Sequence, residues 1–216
     1  EMAADIKAVT IDDIKNFYKQ FYNGENAMIA IVGDFNEEET MATLTPIFKG
    51  WTSPVKFEEA REDHFEATAK TEKIKTPDKK NAMLMCGFNI PLQDNDADFA
   101  AITIGNYILG GGFLNSRLAV RIRQKDGLSY GVGSFLQAGQ KDKAGAFGSY
   151  AIFNPTNLDK LIDAYKDELR KITTDGITET ELTDAVKGYL QSRNVSRSQD
   201  RELVMRLSNY LRWSRD

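Results

Sequence analysis

The sequence predicts an α+β domain in which helices pack on a largely antiparallel sheet. Three observations carry that reading: strand-like runs interleave with helical stripes, two of the runs are joined by a short polar turn as a hairpin, and the last third is helical throughout. At 216 residues the chain can bury roughly 70% of its unfolded surface, enough for a core without metal or disulfide staples. A single domain over residues 1–216 is expected.

Ile11, Ile14, Phe17, Tyr18, Phe21 and Tyr22 recur at the spacing of an amphipathic helix, with Thr10 as its cap. Ala27 to Val32 reads as a buried strand that Gly33-Asp34 ends. Asn36, followed by Glu37, Glu38 and Glu39, suits the positive end of a second helix running to about Phe48. Residues 52–80 dissolve into charge, with Pro54 and Pro77, and read as connecting chain plus an edge strand or two, around Val55 to Phe57 and Ala67 to Ile74. Asn81 to Asn89 is a clearer strand, with Met83, Met85 and Gly87 on one side and Ala82, Leu84, Cys86 and Phe88 on the other.

A helix from about Asp96 to Leu109, apolar nearly all round, is expected inside the domain, stopped by Gly110-Gly111-Gly112. Asn115 or Ser116 caps a short helix to about Lys125, which Asp126-Gly127 terminates. Tyr130 to Ala138 and Gly145 to Phe153 form the hairpin. Leu158, Leu161, Ile162, Tyr165, Leu169 and Ile172 stripe the next helix, and Leu182, Ala185, Val186, Tyr189 and Leu190 the one after, where Thr178 and Glu181 make a capping box. A last helix covers roughly Asp200 to Trp213. No internal sequence repeat is strong enough to assert.

Composition excludes some functions. With 28 Lys and Arg against 32 Asp and Glu, the net charge is −4, and the only basic cluster is Arg117, Arg121, Arg123 and Lys125. Nucleic-acid binding, which requires concentrated positive charge, is set aside. No segment is apolar enough to span a membrane. Cys86 is the one cysteine, so no intrachain disulfide forms, and it reads as a core thiol. His64 is the one histidine; it lies in a charged stretch, reads as a solvated surface residue, and cannot alone supply an H-x-x-E-H zinc motif. Neither end carries a targeting or stop signal, and both read as cut from something longer.

Four features bear on chemistry. The three glycines lack the Lys-Ser/Thr and the preceding strand of a phosphate loop, and read as a close-packing turn. Asp94, Asp96 and Asp98 lack the Gly and Glu of a calcium loop, and read as helix caps. His64 has no assigned role. Arg123 and Tyr130 are more specific: a helix end and a strand start seven residues apart can bring a guanidinium and a phenol to one sheet edge, as donors for a peptide carbonyl and a forming oxyanion. On chemistry alone the plainer arrangement is favoured, with Arg123 on a nearby carboxylate and Tyr130 filling core space.

The run Gly111-Gly112-Phe113-Leu114-Asn115-Ser116-Arg117-Leu118, the Arg123 to Tyr130 element, Asn26 to Asp34, and Phe17 to Tyr22 together resemble the pitrilysin/insulinase-type metallopeptidases. The likeness is to the mitochondrial processing peptidase branch and its bacterial relatives, and covers about Thr10 to Tyr189 in order. The resemblance implies a metallopeptidase-type α+β domain that pairs with a homologous domain around a chamber, zinc sitting on the other domain. It implies that this chain is the non-zinc "inactive" C-terminal domain, a fragment of a longer multi-domain peptidase or one subunit of a two-subunit one. It places substrate-carbonyl binding on Arg123 and stabilisation of the tetrahedral intermediate on Tyr130. It implies no cofactor in this chain, zinc on the partner domain, a peptide substrate added as a strand to a sheet edge within Thr71 to Asn89, and a periplasmic, otherwise exported or mitochondrial setting. A catalytically inert scaffolding subunit of the same fold is the alternative.

Overall fold

The computed structural model describes residues 2–215 and separates into two compact units, residues 1–60 with 197–216, and residues 61–196. The first unit contains helices α1 (Met2–Ala8), α2 (Ile11–Phe21) and α3 (Glu37–Phe48), and the last helix, α7 (Asp200–Trp213). Thr10 and Asp13 close a full capping box on α2, and the Asn36 side chain accepts the Glu39 N–H of α3 at 3.0 Å, so both predicted caps form. Tyr18 and Phe48 both pack on Trp51, with ring centroids 5.8 and 6.1 Å apart.

Ala27 to Val32 is not a strand: the run makes no ladder, and Met28, Ile29 and Ile31 are exposed. Its apolar pattern asks for cover on both faces, but the described elements of this unit are helices, which offer no strand edge to pair with. The edge strands expected within residues 52–80 are likewise extended chain without a ladder.

The second unit is built on three antiparallel strands, β1 (Ala82–Ile90), β2 (Ser129–Gln137) and β3 (Gly145–Phe153), in the order β1-β3-β2. The hairpin is β2 and β3, and β1 returns to the far side of β3 with Leu84 opposite Ala151 and Cys86 opposite Ser149. Side chains alternate across this sheet. Leu84, Val132, Ala151 and Phe153 face a core completed by Leu109, Leu118, Ile122, Leu128, Leu161 and Ala164. Met83, Met85, Tyr150 and Ile152 stand exposed on the other face. Phe88 remains 60% exposed although its ring meets that of Phe147.

Helix α4 is short, Phe99–Asn106, half-buried rather than enclosed, and it continues as a wider π-type turn over Tyr107–Gly111. Gly110 and Gly111 therefore belong to the helix that they were expected to stop. A Cβ on Gly110 would stand 2.3 Å from the Ser134 amide nitrogen, so glycine lets this turn press directly on β2. Ser134 Oγ donates to Asn106 Oδ1 at 2.7 Å across the same contact.

A 3-10 turn, Phe113–Asn115, follows, and then a second π-type stretch, Ala119–Lys125, stands in place of the expected short α-helix. Ser116 does not cap it; its hydroxyl donates back to Phe113 O at 2.7 Å. Gly127, at φ +61°, ends it as predicted. Helices α5 (Leu158–Thr174) and α6 (Glu179–Arg197) follow, with the Thr178–Glu181 capping box formed.

Candidate functional site

Arg123 lies near the end of the second π-type turn, and Tyr130 is the second residue of β2. Between them the Leu128 N–H donates to Ile122 O at 2.8 Å, and the Asp126 N–H to Arg121 O at 3.0 Å. These bonds fold the connecting segment back on itself, so one end carries Arg123 and the other, two residues beyond Leu128, carries Tyr130. Ile122 and Leu128 are both buried core residues that anchor the segment from beneath. Arg123 and Tyr130 themselves are exposed, Tyr130 at 85%, and neither has a hydrogen-bond or ion-pair partner among the described residues. The plainer arrangement, with Arg123 on a carboxylate and Tyr130 in the core, is not the one adopted.

Tyr130 also sits at an irregularity of the sheet. Ser129 is opposite Phe153 and Gly131 is opposite Ile152, so Tyr130 is an extra residue between consecutive pairs, a β-bulge. Ser129 Oγ stands 2.7 Å from Ile152 O and 2.9 Å from Gly131 O, and accepts the Gly131 N–H at 3.2 Å. The sequence carried no signal for this bulge, because its partners come from the other strand.

The basic cluster expected over residues 117–125 is taken apart by pairing. Arg117 is bound to Glu181, with Nε to Oε1 at 2.7 Å. Arg121 makes an ion pair with Asp126 at 2.9 Å. That leaves Arg123 and Lys125 presented to solvent.

The remaining candidates resolve individually. Asp96 accepts the Gln93 N–H and pairs with Lys143, and these two contacts, the backbone bond first, hold its carboxyl below the usual range. Asp98 occupies the α4 cap position without a side-chain bond. His64 is not solvated as expected: its side chain is 19% exposed, Nε2 meets Glu66, and Nδ1 is buried without a hydrogen-bond partner. Cys86 is half-buried, its thiol donating to the Tyr165 hydroxyl, which in turn donates to Ser149 Oγ at 3.1 Å.

The residues of this chain do not fit a catalytic zinc centre. There is one histidine, and no group of three or more His, Cys, Asp or Glu side chains able to hold a metal lies among the described residues. No helix of the described residues is long and apolar enough to cross a membrane.

Residues 8–189 match the family of the peptidase M16 inactive domain, and the chain belongs to that family. It is 26% identical over 188 residues to the Helicobacter pylori protein "Non-peptidase homolog YmxG", covering 87% of this chain and 42% of that protein. It is 26% identical over 204 residues to the Streptomyces coelicolor "Uncharacterized zinc protease SCO5738", covering 93% and 44%. The chain thus spans less than half the length of these relatives. Among solved structures, the peptidase M16 inactive domain from Pseudomonas fluorescens superposes with a TM-score of 0.78 at 25% identity, over 96% of this chain and 48% of that one. A protease from Helicobacter pylori superposes with a TM-score of 0.77 at 21% identity, over 96% and 50%, a likeness of fold.

Proposed function

We propose that this chain is the non-zinc domain of a zinc metalloendopeptidase, supplying Arg123 and Tyr130 to a peptide held against a homologous zinc-bearing domain, and cleaving nothing alone. The observation that carries the reading is that both side chains are exposed and unpartnered at the two ends of one segment closed by the Leu128–Ile122 bond. Arg123 offers a fixed charge and several N–H donors to a substrate carbonyl. Tyr130 donates its O–H to the oxyanion that forms there. Metal and water-activating base belong to the other domain, in the same polypeptide or on a second subunit.

Peptide addition along a sheet edge fits the strand order, because β1 is bonded only to β3 and its outer edge is open within the three-stranded sheet. Main-chain bonding of that kind tolerates many side chains. A second reading, an inert scaffolding subunit of the same fold, is favoured by one observation, the Helicobacter pylori relative named as a non-peptidase homolog.

Cleavage of a fluorogenic unstructured peptide separates these readings. The chain alone is expected to be silent, and the chain with its zinc-bearing counterpart active in a chelator-sensitive way. Activity of the counterpart that is indifferent to this chain, or to Tyr130→Phe within it, sinks the peptidase role and leaves the scaffold.

A further inference from the structure

We infer that Ser129 is a positioning residue for Tyr130: its hydroxyl, bonded across to β3, fixes the bulge that turns the phenol onto the open face of the sheet. The inference rests on the role proposed for Tyr130 above.

In an unbulged antiparallel pair, side chains alternate strictly between faces. Ser129 is 6% exposed and opposes Phe153, a core residue, so it lies on the helix-covered face; Gly131 opposes Ile152, which lies on the uncovered face. Tyr130 falls between these two pairs. Carried back regularly from the Gly131–Ile152 pair, the ladder would set Tyr130 opposite Phe153 on the covered face; as the extra residue of the bulge Tyr130 leaves the ladder and stands 85% exposed.

Opening the ladder leaves polar groups to be satisfied. The Gly131 N–H and the Ile152 carbonyl are both met by Ser129 Oγ, at 3.2 and 2.7 Å, and Gly131 O lies 2.9 Å from the same atom. A hydroxyl carries one proton and two lone pairs, so Oγ can donate to a carbonyl and accept an amide at once, which neither a methyl nor a thiol does as well. Buried polar groups without partners are costly, and at this point the serine is what keeps the bulge satisfied. Ser129 touches no reacting atom; it acts through the direction it gives to Tyr130.

The test reads the geometry directly, in this chain, by NMR with tyrosine ring carbons labelled and the Tyr130 signal assigned from Tyr130→Phe. Ser129→Cys keeps the volume of the side chain and weakens its bonds, whereas Ser129→Thr keeps the hydroxyl. Ser129→Cys is expected to move the Tyr130 ring signal and to speed exchange of the Gly131 amide about five- to tenfold, with Ser129→Thr close to the wild type in both. An unmoved ring and amide in Ser129→Cys, or an equal shift in Ser129→Thr, overturns the inference. Because no peptide cleavage enters the measurement, failure of the positioning role is told apart from failure of the catalytic role of Tyr130.

Discussion

Glu181 receives Arg117 on both carboxylate oxygens, at 2.7 and 2.8 Å, while Oε2 also takes the Thr178 N–H that opens α6. One carboxylate therefore caps a helix and ties it to the turn following the three glycines. The Arg117 hydrogen bonds hold the Glu181 carboxyl at about 2, against an ordinary value of 4.5, with burial opposing and the Thr178 bonds assisting. A carboxyl depressed in the folded state stabilises it fully above its unfolded value, and that stability drains away as pH falls through the folded one.

Glu181→Gln is accordingly expected to cost about 1 kcal/mol at neutral pH, most of the gross attraction being screened at a partly exposed pair. The variant should also lose part of the wild-type decline in stability between pH 4.5 and about 2. Urea unfolding at several pH values checks both, and parallel curves for the two proteins contradict the assignment.

Tyr130→Phe in the assembled peptidase is expected to lower kcat about a hundredfold, ~3 kcal/mol, with KM little changed, as for loss of one oxyanion donor. Its fold stability should move by less than about 0.5 kcal/mol, because the hydroxyl is exposed and unbonded. Arg123→Lys keeps the charge but not the planar donor array, and is expected to weaken peptide capture, raising KM. Steady-state kinetics beside thermal melts distinguish these effects from unfolding.

Two substitutions in the glycine-rich turn should have opposite signs. Gly110→Ala drives a methyl into the β2 backbone and is expected to destabilise by about 1–3 kcal/mol. Phe113 has φ +54° and is 72% exposed, a left-handed conformation held by a bulky residue with little burial in return. Phe113→Gly is expected to be stabilising, by up to about 1 kcal/mol. Chemical denaturation of each variant decides the signs.

Tyr165 is a sensor of the sheet–helix contact. Burial first, then the bond from Cys86, pushes its phenol up to about 12, while Ser149 pulls the other way. A phenol raised above its ordinary 10.0 gives stability that is whole below that value and is lost as pH climbs towards 12. Difference absorbance on alkaline titration should show one tyrosine ionising late, absent in Tyr165→Phe; a titration unchanged by that substitution counts against it.

Local pattern made part of this fold readable. The β2–β3 hairpin, the stripes of α5 and α6, and the Thr10, Asn36 and Thr178 caps all depend on residues a few positions apart. Ala27 to Val32 misled because an apolar run states a demand for cover and not what supplies it. Gly110 misled for a related reason: read as a helix breaker, it is the point where a helix meets a strand. Of the site, the Arg123–Tyr130 spacing was visible, whereas the Tyr130 bulge depends on Ile152, far along the chain. The Arg117–Glu181 pair, 64 residues apart in sequence, was equally hidden.

The uncovered side of the sheet carries two thioethers, Met83 at 58% and Met85 at 64% exposure, beside Tyr150 and Ile152. Peroxide reaching these sulfurs would convert them to polar, chiral sulfoxides. A greasy wall would thereby become a wettable one without breaking a single bond of the ladder.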